Sequence, residues 1–315
     1  MATYSAFLRE EGVDGRSITV DPNTKQIGAN YEKAIWGQTY YVDSTNGTTT
    51  NDGLSPGTAL STIAAAITLS NAYIASTGNT YKVNRIYVLG GTYSETLTVM
   101  PMQCEVIGVG TRSGWEPLIN GVSTFATAGQ WSRFINLHFY QATAAPVVTI
   151  PAGSHGYAFI NCRISDGGSS THGLDITDSY DGLIQGCKFD GNPPCPIGIS
   201  FAGTSCGGTK VLDNYISATT IGIEVENGMT ADYGLVIKDN SIYRCDPNAD
   251  APLTEGIAFQ DTSGRSHAMV IHNFIAATDA IAFDGAYGGD RDHWMCIANH
   301  VVQAATADVE SDENA

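Results

Sequence analysis

Apolar and polar positions alternate along this chain in a short motif that recurs seven times between residues 134 and 302. Two or three apolar residues precede a polar step, and then a Leu, Cys or Asn and another apolar residue follow, as in FINCRI at 159–164. The intervals between copies are 25, 25, 27, 26, 33 and 26 residues, measured between Leu137, Cys162, Cys187, Asn214, Asn240, Asn273 and Asn299. Such a period indicates one supersecondary unit stacked on copies of itself. Its β-branched, Gly and Asn content predicts strands and turns.

A second motif, Gly-Ile-x-Phe or a close variant, follows the first by 7 to 16 residues in each repeat. Its copies begin at Gly173, Gly198, Gly222, Gly256 and Ala280. Two strands at a similar offset in every turn predict an all-β fold, a right-handed parallel β-helix whose coils stack at about 4.8 Å. We therefore expect Cys162 to lie over Cys187 and the four Asn residues to form a structural ladder of hydrogen bonds.

The segment before the repeats predicts a capping helix. Leu60, Ile63, Ala64 and Ile67 recur at helical spacing, and the pattern can run to residue 73 or 74 with a cap at Ser61 or near residue 58. Such a helix would cover the open end of the first coil. The predicted organisation is an N-terminal attachment arm at 1–37, the β-helix at 38–302 and an acidic C-terminal tail at 303–315.

The same region resembles the pectin-lyase-like right-handed parallel β-helix superfamily. The resemblance is carried by the loop at 42–54, Pro56, the helix at 62–67, the stretch VLGGTY at 88–93 and VIG at 106–108. It covers roughly residues 40–302 and implies the fold. The superfamily includes lyases, hydrolases, phage tailspikes and other virion proteins, so the resemblance leaves the activity open.

Composition limits the partners. The chain has 315 residues, 43% of them hydrophobic, and a formal net charge of −17 with a pI near 4.5. Such a chain is a poor match for nucleic acid, anionic lipid or polyanionic substrates. Seven cysteines without metal-site spacing predict buried, reduced thiols, and no cofactor or metal is expected. No export signal and no membrane-spanning apolar segment is evident.

Candidate catalytic residues lie at the outward position of the second motif. Asp175 and Glu224 are two coils apart there, hence about 9–10 Å, at the upper edge of the carboxyl separation in inverting glycosidases. Glu226 and Asp284 form an alternative pair at a similar separation. Carboxylates are also common on the outside of an acidic β-helix, so a merely structural role for both pairs stays open.

The chemistry of a lyase has less support. Elimination from a uronate needs a base and a cation that neutralises the sugar carboxylate. The basic residues near the first motif are interpreted as scattered, without a stack: Arg163, Lys188, Lys210 and Lys238. The oxygen-rich loop with Asp43, Asn46, Asn51 and Asp52 could hold Ca²⁺, but a turn without metal is favoured.

These observations lead to three hypotheses. The first is a bacteriophage virion protein, namely a tailspike, short fibre or capsid decoration. It would be made in the host cytoplasm, anchored to other virion proteins by residues 1–37, trimeric by resemblance, and able to contact host surface polysaccharide. The second is a polysaccharide depolymerase, a glycoside hydrolase rather than a lyase. The third is an adhesin that binds glycans without cleaving them.

Overall fold

The computed structural model describes residues 36–77, 82–110, 116–226, 234–245, 252–260, 268–283 and 295–303. These residues form a parallel β-solenoid of about seven turns with one α-helix near its start, so the predicted fold class is confirmed. The predicted arm lies outside the described residues except at its last two positions, and the predicted tail lies outside except at residue 303.

Each complete turn contributes one strand to each of three faces. Face 1 is a ten-stranded sheet of Trp36–Val42, Val83–Leu89, Cys104–Val109, Ser132–Ile135, Ala158–Ile160, Leu183–Gln185, Lys210–Leu212, Leu235–Lys238, Ala268–Ile271 and Met295–Ile297. Faces 2 and 3 are the two arms of a 15-stranded sheet. Face 2 comprises Thr92–Tyr93, Leu118–Asn120, His138–Gln141, Arg163–Asp166, Lys188–Gly191, Tyr215–Ser217, Ser241–Tyr243 and His300–Gln303.

Face 3 comprises Ser123–Thr124, Val148–Ile150, His172–Thr177, Ile197–Ala202, Ile221–Val225 and Leu253–Phe259. The long strand Phe274–Phe283 belongs to faces 2 and 3 and joins them, because its two halves pair with different neighbours. A short 3-10 helix, Pro56–Thr58, and the helix α1, Ile63–Thr77, complete the described elements.

The first sequence motif contains two strands instead of the single strand expected. In the FINCRI copy, face 1 ends at Ile160 and face 2 begins at Arg163. Asn161 between them has a φ of 52°, in the left-handed region, and Asp213 and Asp239 take φ values of 55° and 57° at the equivalent positions. A left-handed residue breaks the extended backbone and turns the chain from face 1 to face 2. Each complete turn therefore has three strands.

Asparagines stack in the turn between faces 1 and 2, as predicted. The Asn240 Nδ2 donates to the Val211 carbonyl at 2.9 Å, and the Asn240 Oδ1 accepts from the Asn214 backbone N–H at 3.0 Å and from the Asn214 Nδ2 at 2.9 Å. Asn273 and Asn299 continue the same pattern. The ladder thus satisfies buried amide groups that the turn removes from the sheet.

Cysteines occupy the same position in two earlier turns. The Cys187 N–H donates to the Asn214 Oδ1 at 2.8 Å, and the thiols of Cys187 and Cys162 each contact a carbonyl oxygen of the preceding turn at 3.3 Å. All seven cysteines fall within the described ranges and none of them forms a disulfide; five are buried as predicted, whereas Cys245 and Cys296 are exposed, so the prediction of buried thiols was wrong for these two. Burial and the neighbouring Cys162 raise the pKa of the Cys187 thiol well above its usual range. These two thiols fill the core in the manner of small apolar side chains.

The predicted capping helix is α1, and it packs on the first strands of face 1. Its own residues Ile63 and Ile67 are fully buried on the side that faces the solenoid. Its first N–H groups are satisfied by a distant carboxylate, since the two oxygens of Glu95 accept from the Ile63 and Ala64 N–H groups at 2.8 and 2.9 Å. An acidic group at a helix N-terminus also suits the helix dipole. The helices of the described ranges include none that could span a bilayer.

We expect Asn240→Ala to lower the free energy of unfolding by about 2–5 kcal/mol. The change leaves the buried Asn214 N–H and the Val211 carbonyl without these hydrogen-bond partners. Urea denaturation measures this loss. The matched control is Lys238→Ala, an exposed position two residues away on face 1, where a change within about 0.5 kcal/mol is expected. Equal losses in the two variants would contradict a stabilising ladder.

Candidate functional site

The outward row of face 3 carries the predicted site residues. Asp175 pairs with Ser200, and Ser200 pairs with Glu224, so these residues lie side by side on three consecutive turns. The alternate residues Ile199 and Ile223 point inward and are fully buried. The register expected from the sequence is therefore present, with Asp175 and Glu224 separated by two strand spacings, about 9.6 Å.

The backbone ladder of face 3 continues one residue past the strands. The Glu226 N–H donates to the Phe201 carbonyl at 2.9 Å, and the Gln260 N–H donates to the Val225 carbonyl at 2.9 Å. Since residues two apart on an extended chain share a side, Glu224 and Glu226 both face outward. This local extension brings two carboxylates of one turn together.

Polar side chains of four turns converge around these two carboxylates. The Ser200 Oγ donates to the Glu226 Oε1 at 3.0 Å, and the Gln260 Nε2 donates to the Glu224 Oε1 at 2.7 Å. A ring nitrogen of His172 and one carboxylate oxygen from each of Glu224 and Glu226 lie within 4.8 Å of one another. We call His172, Asp175, Ser200, Glu224, Glu226 and Gln260 the acidic cluster.

Burial sets the electrostatics of the acidic cluster. Glu224 is only 6% exposed, whereas His172, Asp175 and Glu226 are half-buried. Burial raises the pKa of Glu224, and the Glu226 charge raises it further, against the hydrogen bonds from Ser200 and Gln260. Burial also raises the pKa of Asp175, with His172 opposing this shift and Glu226 adding to it. Both carboxyls therefore hold a proton to higher pH than an exposed acid does.

His172 is held neutral. Burial lowers its pKa, against the opposing charges of Asp175 and Glu226. A neutral imidazole beside a carboxyl group of raised pKa and a second carboxylate can exchange protons or hydrogen-bond to a bound hydroxyl. The same three groups, with their ligand atoms within 4.8 Å, are of the types that bind Zn²⁺ or another divalent ion after small side-chain movements.

The two carboxylates that lie together in the structure were predicted as members of different pairs. The carboxylate next to Glu224 is Glu226, a member of the alternative pair, while Asp175 lies two turns away. Asp284 lies outside the described residues. His172, Ser200 and Gln260 were not predicted as site residues. Ser200 could have been, because it occupies the outward position between Asp175 and Glu224.

The oxygen-rich loop is organised as a turn by its own side chains. Its Asp43 carboxylate accepts hydrogen bonds from the Thr45 N–H, the Asn46 N–H and the Asn46 Nδ2 at 2.8 to 3.0 Å. These bonds lower the pKa of Asp43. The carboxylate thus satisfies the donors of its own loop.

The interpretation of the basic residues as scattered was wrong for two of them. Arg163 and Lys188 pair directly on adjacent strands of face 2. Both contact Asp190, with the Arg163 Nε at 3.0 Å and the Lys188 Nζ at 2.8 Å from its carboxylate oxygens. The strand register places them together because each follows an aligned cysteine by one residue.

A comparison with protein families matches residues 120–285, over half of the chain, to the family described as the right handed beta helix region. The chain belongs to this family. The match supports the right-handed β-helix part of the predicted resemblance and gives the handedness expected of the solenoid. None of the curated proteins compared matches this β-helix chain.

Solved structures with a similar fold include three carbohydrate-active proteins. A GH136 lacto-N-biosidase from Eubacterium ramulus is 12% identical with a TM-score of 0.46, covering 87% of this chain and 69% of its own. A rhamnogalacturonan lyase is 10% identical with a TM-score of 0.44 and coverages of 84% and 87%. A pectin methylesterase from Aspergillus niger is 13% identical with a TM-score of 0.40 and coverages of 86% and 88%. Likeness at this level does not assign an activity.

We expect Glu224→Gln to stabilise the β-helix at neutral pH. The raised pKa of Glu224 means that the folded state binds its proton more tightly than the unfolded state. The Glu224 contribution to stability therefore falls as pH rises above the ordinary value of 4.5. Chemical denaturation at pH 4 and pH 8 should show a gain for the variant that is larger at pH 8.

Glu105→Gln is the matched control. The Glu105 carboxylate lies on face 1 and contacts the Arg85 Nε at 3.2 Å and the Arg133 Nη1 at 3.4 Å. Its neutralisation should lower the free energy of unfolding by up to about 1 kcal/mol at pH 8. A loss of stability in Glu224→Gln at pH 8 would show that the buried carboxylate is not under electrostatic strain.

Proposed function

We propose that the protein hydrolyses glycosidic bonds in a neutral or weakly charged polysaccharide at the acidic cluster. The observation that carries this proposal is the convergence of Glu224, Glu226 and His172 within 4.8 Å on the outer side of face 3. Glycoside hydrolysis typically uses two carboxyl groups with different protonation, one as acid and one as nucleophile or base. A net charge of −17 favours substrates with little negative charge.

The two carboxyl groups have environments suited to different roles. Glu224 has the raised pKa and serves as the general acid that protonates the leaving oxygen. Glu226 is more exposed, and the Ser200 hydroxyl orients its Oε1, so Glu226 serves as the nucleophile. His172 and Asp175 border the pair and bind sugar hydroxyls. This assignment supplies both groups from one turn of the solenoid.

The stereochemistry of the product separates the two carboxyl pairs. Carboxyl groups about 5–5.5 Å apart give retention through a glycosyl-enzyme intermediate, whereas separations of about 6.5–9.5 Å give inversion with a water between them. The Glu224 and Glu226 pair, with carboxylate oxygens within 4.8 Å of one another, would belong to the first class. The Asp175 and Glu224 pair, at about 9.6 Å between strand positions, would belong to the second.

We expect the purified protein to release reducing ends from at least one polysaccharide in a panel of capsular, lipopolysaccharide and plant glycans. Glu226→Gln and Glu224→Gln should each lower kcat/KM by about 10²–10⁴-fold, because general acid and nucleophile are lost. Glu105→Gln, which neutralises a carboxylate on face 1, should leave kcat/KM unchanged. NMR of the first product should show retention at the anomeric carbon.

Other outcomes identify the alternatives. Inversion together with loss of activity in Asp175→Asn would show that the catalytic pair is Asp175 and Glu224. Binding without release of sugar from any polysaccharide would identify an adhesin and overturn the hydrolase proposal. Because Glu224→Gln is expected to be more stable at neutral pH, its inactivity would not be explained by unfolding.

A second candidate function is the virion role, with the protein projecting from a phage particle as a homotrimer. The observation that favours subunit contacts is a set of large apolar side chains 45–46% exposed on the last described turns, namely Phe283, Met295, Ile297 and Val302. Residues 1–37 would be the anchor to other virion proteins. A glycan-cleaving site on face 3 would then act on the polysaccharide of the host surface.

We expect deletion of residues 1–37 to abolish incorporation of the protein into particles while leaving the β-helix folded and trimeric. Sedimentation of purified particles followed by immunoblotting measures incorporation, and analytical ultracentrifugation of the free protein measures its oligomeric state. Unchanged incorporation would refute the arm as an anchor. A monomer at micromolar concentration would refute the trimer.

A further inference from the structure

The outer side of face 2 differs from that of face 3 in charge and in aromatic content. Strand pairing aligns six residues on consecutive turns into one row: His138, Arg163, Lys188, Tyr215, Ser241 and Phe274. A second row beside it contains Tyr140, Ser165, Asp190, Ser217, Tyr243 and Ala276. We call these two rows the face 2 strip. Only one carboxylate, Asp190, belongs to the strip, whereas the acidic cluster on face 3 has three.

Two cations of the strip share one carboxylate. The Asp190 oxygens contact the Arg163 Nε and the Lys188 Nζ, and in the described part of the chain no other carboxylate forms an ion pair with either cation. The side chains of Arg163 and Lys188 are 42% and 52% exposed, whereas that of Asp190 is 15% exposed. Within this group of three side chains the positive charges exceed the negative ones by one, on a protein of net charge −17.

Asp190 also holds the two cations in place. Its hydrogen bond engages the Nε of Arg163, so this contact does not use the two terminal nitrogens of the planar guanidinium. Lys188 makes a second stabilising contact, a cation–π interaction in which its Nζ lies 5.5 Å from the centroid of the Tyr215 ring. A pre-organised Arg and Lys pair of this kind suits a carboxylate ligand.

His138 adds hydrogen-bonding capacity beside the cations. Its Nε2 lies 2.6 Å from the Ser165 Oγ. Burial and the charge of Arg163 lower the pKa of His138 to about 4, so the ring is neutral near pH 7. A neutral imidazole and a hydroxyl next to two cations can bind sugar hydroxyls without adding charge.

Aromatic rings continue the strip along the solenoid. The Tyr215 and Tyr243 ring centroids are 4.9 Å apart in an edge-to-face arrangement, and Phe274 is 38% exposed one turn further on. Next to these rings lies a groove of about 310 Å³, lined in part by Tyr243, Phe274, Ala276 and Val302. Ala276 forms its floor because the neighbours in its row, Tyr243 and Val302, are larger. Apolar sugar faces stack on rings of this kind.

We propose that the face 2 strip binds a polysaccharide that contains carboxylated sugars, with Arg163 and Lys188 binding one sugar carboxylate and Tyr215, Tyr243 and Phe274 stacking against sugars further along. From Arg163 to Phe274 the strip spans four strand spacings, about 19 Å, so it holds several sugar units along the solenoid axis. The cations Arg163 and Lys188 on face 2 attract carboxylated sugars, and the three carboxylates on face 3 repel them. The strip binds the acidic units, while the acidic cluster on face 3 excludes them.

This binding surface is independent of the proposed hydrolysis, since none of its residues belongs to the acidic cluster. The two proposals fail separately: a protein that binds acidic polysaccharide without cleaving any keeps the face 2 strip and loses the hydrolase. A protein that cleaves neutral glycans and binds no acidic one keeps the hydrolase and loses the strip.

The test is a binding measurement on a panel of carboxylated polysaccharides, among them alginate and unsulfated chondroitin, each paired with its carboxyl-reduced counterpart. Isothermal titration calorimetry of the full chain should show binding to at least one carboxylated polymer and a loss of about tenfold or more on carboxyl reduction. Arg163→Gln and Lys188→Met should each weaken binding about tenfold to hundredfold and reduce its salt dependence. Phe274→Ala should weaken it about threefold to tenfold.

The controls neutralise comparable cations on face 1. Arg133→Gln removes an exposed guanidinium that contacts Glu105, and Lys210→Met removes an exposed ammonium on the strand next to the Leu183–Gln185 strand. Both should bind like the unmodified protein, and thermal denaturation checks that all variants are folded. Equal binding of carboxylated and reduced polymers, equal losses in the face 1 controls, or no binding to any carboxylated polymer would each overturn the proposal.

Discussion

Each turn of this solenoid is held to the next by hydrogen bonds that have one common register. The strands of all three faces pair in parallel, and the asparagine ladder between faces 1 and 2 repeats the same offset with side-chain amides. A slip of one residue in a strand would turn its inward isoleucines to the outside. Both candidate surfaces depend on this register, because it aligns Asp175 with Glu224 through Ser200, and Arg163 with Lys188.

Much of the fold was predictable because the core repeats itself. Identical residues at near-constant intervals predicted the ladder of Asn214, Asn240, Asn273 and Asn299, and their stacking follows from the strand spacing alone. The number of strands per turn was not predictable in the same way. The residue that turns the chain has a left-handed φ in each copy, yet it varies among Asn161, Gly186, Asp213 and His272, so no single residue type signals the break.

For the candidate site, the sequence predicted which residues the strand register places side by side, but not which side chains approach each other. Outward positions on neighbouring turns follow from counting, and this count would also have aligned Arg163 with Lys188. The approach of Glu226 to Glu224 depends instead on side-chain conformations and on a backbone that stays extended past the strand. Burial of Glu224 beside a like charge costs stability, which the hydrogen bond from Gln260 partly offsets. Such local conflict with stability is typical of functional sites.

Each asparagine of the amide ladder bonds only to the neighbouring turns, and the local nature of these contacts has an evolutionary consequence. An insertion or deletion of one whole repeat of about 26 residues would leave every remaining rung with a partner of the same kind. The acidic cluster occupies four consecutive turns, from His172 to Gln260. Duplication of a turn outside these four can therefore lengthen the molecule while the acidic cluster is inherited intact.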